Sequence, residues 1–240
     1  GFQAEGDRSE ALSRVLTECA SGLGLAEEDY VSRLAVAPPG SPEVLALVRE
    51  MTVGESFFHR GSDHFEALRA VVVPALRPAP NGPPLRILSA GCSDGQELYT
   101  VAIELSAELA PAQLELVGID VNPDAVARAR AARYSSWALR ATPEALRSRW
   151  FTRAGRDFLL VPEARASTRF EVANLLSADP FPPGRWDVVF CRNVLIYFSR
   201  KQAQLLVDRI AGSLSPGGFL FLGHAETLRG LTDAFHLEHT

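Results

Sequence analysis

The spacing of apolar residues changes character twice along the chain. From about residue 9 to residue 76 they recur three and four positions apart, as in Leu12, Val15, Leu16 and Cys19 and again in Val44, Leu45, Leu47 and Val48. That is the period of helices with one buried stripe. The segment RPAPNGPP (77–84) cannot extend a helix, because its four prolines lack N–H donors and hold the residues before them extended. Beyond it, short continuous apolar runs alternate with helical patterns: LRILSAG, a helix over about 96–109, LELVGID, and a helix over about 123–133. Further strands are expected at 169–172, 186–191 and 219–223, with a helix over about 200–214 before the last and Pro216-Gly217-Gly218 turning into it. Runs without polar alternation are strands covered on both faces, and successive strand–helix units build a doubly wound parallel sheet. The pattern predicts an α/β protein: a helical domain over 1–76, a linker over 77–84 and a doubly wound domain over 85–240.

Composition narrows the class. A chain of 240 residues, 47% hydrophobic, can bury a core as one large domain or as one domain with a small companion. No window approaches the roughly 18 apolar residues of a membrane span, and the first residues lack the order of a signal peptide. Three cysteines, Cys19, Cys92 and Cys191, have no metal-ligand spacing, nor do His59, His64 and His224; reduced thiols in a cytoplasmic protein without a metal are the expectation. The net charge of −5 falls entirely within the first 80 residues, with 12 acidic and 7 basic side chains against 17 of each beyond. One lysine in the chain, Lys201, is no basis for nonspecific nucleic-acid binding.

The turn after the first expected strand reads Ser89-Ala90-Gly91-Cys92-Ser93-Asp94-Gly95. Gly91 and Gly95 let backbone approach a ligand closely. A pyrophosphate-binding turn wants G-x-G-x-x-G, whereas this one carries Asp94 and then Glu97 at the helix start, which would repel phosphate. A cofactor with an amino group and a sulfonium, S-adenosylmethionine, suits an acidic turn better. Asp120 ends the second strand, 29 residues after Gly91, where a carboxylate can accept both ribose hydroxyls. An Asp before Asn-Pro could equally cap the next helix, and Asp120 and Asn122 could divide the two jobs. In CRNVLIYF (191–198) a buried strand breaks into Arg192-Asn193 and then returns Tyr197, at the strand end where a parallel sheet places chemistry.

The segments MTVGESFFHR (51–60), RILSAGCSDGQELYTVAI (86–103), GIDVNPDAVARARAARY (118–134), FEVANLL (170–176), WDVVFCRNVLIYFSR (186–200) and LSPGGFLFLGHAETL (214–228) occur in the order and spacing of the CheR family. By these segments the chain resembles the chemotaxis receptor glutamate O-methyltransferases from about residue 10 onward. The resemblance implies a Rossmann-like S-adenosylmethionine-dependent methyltransferase sheet, a helical N-terminal domain, and a small antiparallel β-subdomain inserted at about 151–172. There 157–161 would pair with 168–172 across a short loop without glycine, leaving no need of a receptor-peptide tether. It further implies that Gly54, Ser56 and Arg60 reach the cofactor from the segment before the sheet, that Gly91 and Glu97 hold it from the first turn, and that Asp120 takes the ribose. Asn174 and Leu175 match the adenine-side pair, Asn193 and Val194 the contacts beside the methionine part, and Tyr197 the tyrosine facing the transferred methyl. Where the family has Gly-Glu-Glu-Pro-Tyr-Ser, this chain has Gly95-Gln96-Glu97-Leu98-Tyr99-Thr100, and Gly54 stands where a polar residue is usual.

A substrate glutamate is already ionised at neutral pH, so it can attack a sulfonium methyl without a general base. Arg60 and Tyr197 are then the expected catalytic residues, orienting carboxylate and methyl donor. The expected function is methylation of chemoreceptor glutamates; the alternative, motivated by those departures, is a catalytically weak module that senses the cofactor. The family meets acidic receptor helices through a basic helix near its N-terminus. In this acidic first region Arg33, Arg49 and Arg69 are the candidates for such a face. The chain stops where a closing strand would continue and begins without methionine, as would a piece of a protein with further interaction modules.

Overall fold

The computed structural model describes residues 7–38, 40–52, 56–79 and 81–238. The chain forms two compact units, Gly1–Gly54 and Glu55–Thr240. In the first, α1 (Asp7–Gly22), α2 (Glu27–Val36) and α3 (Pro42–Met51) enclose a small core of Val15, Cys19, Ala20 and Tyr30. Pro42 presets the first turn of α3, whose N-terminus is capped by Ser41 Oγ accepting the Val44 N–H at 3.3 Å. The Tyr30 hydroxyl donates to the Glu43 carbonyl at 2.7 Å, so this buried ring is satisfied while it pins α2 to the start of α3.

The division falls earlier than the proline-rich segment suggests. Phe58, Phe65, Leu68, Val72 and Val73, each at most 2% exposed, belong to the same core as Ile87, Leu98 and Phe190 of the second unit. Helical periodicity reports that a stripe is buried, not what buries it, so 55–76 and the preceding helices look alike in sequence. In this unit α4 (Ser62–Ala67) passes through a π turn (Leu68–Val72) into α5 (Val73–Leu76). Pro74 lacks the N–H an α-helix would need and crowds the preceding turn, and the wider π turn before it relieves the clash.

After the prolines come β1 (Leu85–Ala90), α6 (Gln96–Leu105), β2 (Leu114–Asp120), α7 (Pro123–Ala131), β3 (Arg133–Tyr134), α8 (Glu144–Trp150), β4 (Phe151–Ala154), β5 (Asp157–Leu160), α9 (Pro162–Arg165), β6 (Thr168–Val172), β7 (Trp186–Cys191), α10 (Arg200–Ser213) and β8 (Leu214–Leu222). The main sheet is parallel, in the order β6-β2-β1-β7-β8. Alternate residues serve opposite faces: Ile87, Leu116, Val188 and Phe190 enter the core with α6, while Leu88, Val117 and Val189 enter the one with Leu206, Val207 and Ile210 of α10. At the amino ends of the strands Arg86 ties three of them together. Its Nε donates to Glu115 at 2.7 Å, its backbone N–H to Asp187 at 2.9 Å, and its guanidinium lies 4.4 Å from the Trp186 ring. The guanidinium holds the Glu115 carboxyl below the usual range.

The antiparallel insertion is built differently from the expectation. β5 pairs with β4 on one side and β3 on the other, whereas 168–172 joins the main sheet beside β2. The subdomain therefore spans roughly 133–160 rather than 151–172. Phe170 explains the choice, since its ring fills the main core, where a Cβ on Gly118 would lie 2.6 Å from it. No helix among the described residues is long and apolar enough to cross a membrane.

Phe58 makes edge-on contacts with Tyr134 (4.8 Å) and Phe151 (5.0 Å) and is wholly buried. Truncating it to alanine should cost about 3–5 kcal/mol. A fragment of 55–240 is expected to melt cooperatively by circular dichroism, and a fragment of 77–240, which loses Phe58 and Phe65, is expected not to.

Candidate active site

Strand order reverses at β1, so the loops leaving β1 and β7 part to opposite sides and open a crevice at their carboxyl ends. Gly91, at φ +83°, opens the first loop; a Cβ there would lie 2.5 Å from Val194 Cγ2 in the second. The glycine is thus required by the close approach of the neighbouring loop. Gly95, at φ +85°, starts α6 where a Cβ would strike Ala129 and Phe170 at 2.9 Å. Gly91 and Cys92 both donate their N–H groups to the Ile119 carbonyl, at 2.8 and 3.0 Å, which pulls the turn against the end of β2.

Asp120 accepts the Ser93 N–H at 2.8 Å on one oxygen and the Asn122 N–H at 2.9 Å on the other. Asn122, not Asp120, caps α7, its side-chain oxygen accepting from Asp124 (2.9 Å) and Ala125 (3.3 Å). Asp120 is thereby released from capping and fixed at the carboxyl end of β2 beside the turn that leaves β1. Burial pushes its carboxyl above the usual value, an effect the Asn122 and Ser93 N–H groups partly offset.

Glu97 is held by the Ser89 hydroxyl at 2.8 Å and by Arg192 Nη1 at 3.1 Å. Arg192, with a side chain only 4% exposed, also donates Nη2 to the Arg60 carbonyl at 2.6 Å. It thereby joins three of the quoted segments, ESFFHR, GCSDGQE and CRN. The break after β7 places a cation inside the protein, paired with the carboxylate of the facing turn.

The same loop hangs from Glu226. One oxygen of this carboxylate accepts the N–H groups of Val194 (2.8 Å) and Leu195 (2.7 Å), and the other those of Asn193 and Gly223, both at 2.7 Å. Asn193 sits in the left-handed region at φ +59°, a conformation these bonds over-determine. All three loop N–H groups are engaged, which leaves Asn193 and Val194 their carbonyl oxygens and side chains to offer a ligand. Tyr197 follows in a 3₁₀ turn (Leu195–Tyr197) and is half-buried. Sequence reasoning passed over Arg192 as a binding residue and gave Glu226 no specific partner. Motif adjacency was the available signal; the bonds from Glu226 to the loop span 31 to 33 residues and those of Arg192 span 95 and 132.

Of the remaining expected residues, Ser56 and Arg60 are half-buried before α4, and Gly54 lies outside the described residues. Asn174 closes the turn after β6, its side-chain oxygen accepting the Leu176 N–H at 3.0 Å, and Leu175 is buried against the α10 side. The fold also brings His64, His224 and Asp63 within 4.8 Å, although 160 residues part the two histidines. A Cβ on Gly61 would lie 2.5 Å from Arg192 Nη2 and 3.0 Å from His64 Nδ1, so a cation already stands at that point.

Two carboxylates lie at the turn, Asp120 and the Arg192-paired Glu97, while the turn's other acid, Asp94, is paired with Arg128 at 2.9 Å. This donor set fits a cationic, hydroxyl-bearing group and offers no cradle for phosphate. Comparison with known proteins agrees. Residues 54–240 match the model of the CheR methyltransferase, SAM binding domain. The chain is 34% identical to a probable chemotaxis protein methyltransferase of Rhizobium etli over 87% of this chain and 80% of that protein. It is likewise 34% identical to chemotaxis protein methyltransferase 1 of Pseudomonas aeruginosa, over 87% of this chain and 78% of the relative. A probable biofilm formation methyltransferase, WspC, of the same organism is 34% identical over 94% of this chain, which spans 54% of that protein. The chain thus belongs to the CheR methyltransferase family, and 54–240 is its S-adenosylmethionine-binding domain.

Proposed function

We propose that this protein transfers the methyl group of S-adenosylmethionine to glutamate side chains of a chemoreceptor, giving γ-glutamyl methyl esters. The observation that carries the reading is the loop 192–197, fixed by Glu226 and packed on Gly91 at the switch point of the sheet, in the segment that resembles the family's methyl-transfer site. Relatives that bear methyltransferase names over most of this chain favour an enzyme over a cofactor sensor.

In this reading Asp120 accepts the ribose hydroxyls, Glu97 faces the cationic end of the cofactor, and Asn174 with Leu175 lies on the adenine side. Ser56 and Arg60 close over the cofactor from the segment before α4. Bound S-adenosylmethionine supplies a methyl group made electrophilic by its sulfonium. The protein need not move a proton, since a glutamate is anionic at neutral pH; its work is to orient the carboxylate and exclude water. Arg60 grips the substrate carboxylate, and the Tyr197 hydroxyl aligns it with the methyl. Too tight a grip would stabilise the attacking charge and slow transfer, so one oxygen must stay unengaged. Incubation with labelled methyl donor and receptor cytoplasmic fragments should yield base-labile label released as methanol; stable label, or none, would overturn the assignment.

Tyr197→Phe keeps the ring and removes the hydroxyl: kcat should fall on the order of tenfold or more while cofactor affinity, read by calorimetry, holds. Glu226→Gln replaces one acceptor oxygen by a donor facing backbone N–H groups. It should lower stability by about 2–4 kcal/mol and kcat by at least about tenfold. An equally destabilising Leu206→Ala, remote in the α10 core, should spare kcat.

Because the folded carboxyl of Asp120 is raised, its contribution favours folding fully below the unfolded pKa and is lost as pH rises through the folded value. The charged form needed for ribose binding is correspondingly lost on acidification at a higher pH than for an ordinary Asp. Cofactor affinity measured from about pH 7 to 4.5 should therefore decline, and Asp120→Asn should bind weakly with that decline removed.

A further inference from the structure

We propose that Phe57, Arg60, Trp137 and Arg140 form the surface that docks the acidic segment bearing the substrate glutamate; this rests on the glutamate-methylation reading above. Of the arginines expected to form a basic helical face, Arg33 pairs with Glu43 at 4.0 Å and Arg69 is bound to the half-buried Glu104.

The patch has the composition and the stiffness of a recognition surface. Trp137 is 53% exposed, whereas Trp150 and Trp186 are buried at 7% and 0%. Its exposure is enforced by its neighbours, since Ala138 and Leu139 in the same 3₁₀ turn (Trp137–Leu139) are the residues anchored in the core. The Arg140 guanidinium carbon lies 3.2 Å from the Trp137 ring centre and 3.6 Å from that of Phe57, and Arg60 lies 5.8 Å from Phe57. Nη1 of Arg140 donates to the Trp137 carbonyl at 2.9 Å. A guanidinium held against aromatic rings keeps further N–H groups along its edge, where they can receive a carboxylate. Stacking also immobilises the side chain beforehand, so less entropy is lost when a partner arrives. An exposed indole beside two cations complements a helix that alternates glutamates with apolar or small residues.

The patch is also tied to the reaction site. The Phe58 N–H donates to the Ala138 carbonyl at 3.0 Å, joining the segment of Phe57 and Arg60 to that of Trp137 and Arg140. The Arg60 carbonyl is held by Arg192, which pairs with Glu97 on the cofactor turn. An acidic segment seated on the patch is thereby presented within reach of Arg60, the residue proposed to grip the reacting carboxylate.

The test is steady-state methylation of receptor cytoplasmic fragment by the whole chain. Trp137→Ala and Arg140→Glu should each raise KM for the receptor about tenfold or more, leaving kcat and cofactor affinity within about twofold. Added salt should raise the wild-type KM more steeply than that of Arg140→Glu. Folded variants with unchanged receptor KM overturn the proposal. Intrinsic fluorescence needs no variant: saturating receptor fragment should shift or quench the emission of the exposed Trp137, and unchanged emission on proven binding overturns the proposal equally. If the wild type binds cofactor but places no base-labile methyl on receptor, it is the substrate reading that falls, taking the occupant of this surface with it.

Discussion

The site depends on one carboxylate. Glu226 accepts four backbone N–H groups, three of them consecutive, at distances of 2.7–2.8 Å. A strand that ends inside a protein leaves donors which must find partners, and a loop that supplied them from its own residues would have to coil into a helix or hairpin. By borrowing an acceptor from beyond β8, the chain after β7 keeps an open path with Asn193 left-handed. Val194 can then rest on Gly91, with the turn Leu195–Tyr197 following directly. Without that acceptor, the loop would have three unsatisfied donors beside the cofactor turn, a cost of roughly 1–3 kcal/mol for each one left buried.

A second charge works from the other side of the loop. Arg192 is almost entirely enclosed, which is tolerable only because Glu97 neutralises it and the Arg60 carbonyl takes another of its N–H groups. The price of enclosing a cation is met by what it joins: the segment before the sheet, the glycine turn and the end of β7. The base of the sheet uses the same device for a different end. There Arg86 bridges Glu115 and Asp187 and ties β1, β2 and β7 in register.

Much of this was legible in the residues. The strands at 85–90, 114–120 and 186–191 stood out because continuous apolar runs bounded by turn residues admit few other readings, and Asp120 could be placed by its distance from Gly91. The proposed ribose role and helix capping proved separable once Asn122 was seen to occupy the cap. Other features were hidden for physical reasons. Residues 168–172 suit an antiparallel hairpin or a parallel edge equally well by pattern, and only Phe170's fit against Gly118 decides. The division between the two units was misplaced by prolines, which report a local constraint on the backbone and nothing about packing. Arg192 and Glu226 were the least visible, because a buried ion pair and a carboxylate clamp are contacts between distant segments without a periodic trace.

The order of the strands also governs how the chain can be made. β1 pairs with β2 after a short helical crossover, but Ile87 meets Val188 of β7 only after about a hundred further residues have been synthesised. Through that interval the hydrophobic edge LRILSA has one partner and an open side, in a topology whose long loops close slowly. Segments of this kind are where emerging chains associate with one another. The segment that precedes β1 supplies Phe58, Phe65 and Leu68 to the same core, leaving the free edge as the hazard. Nascent chains paused before residue 186 should depend on chaperones far more than chains released after it.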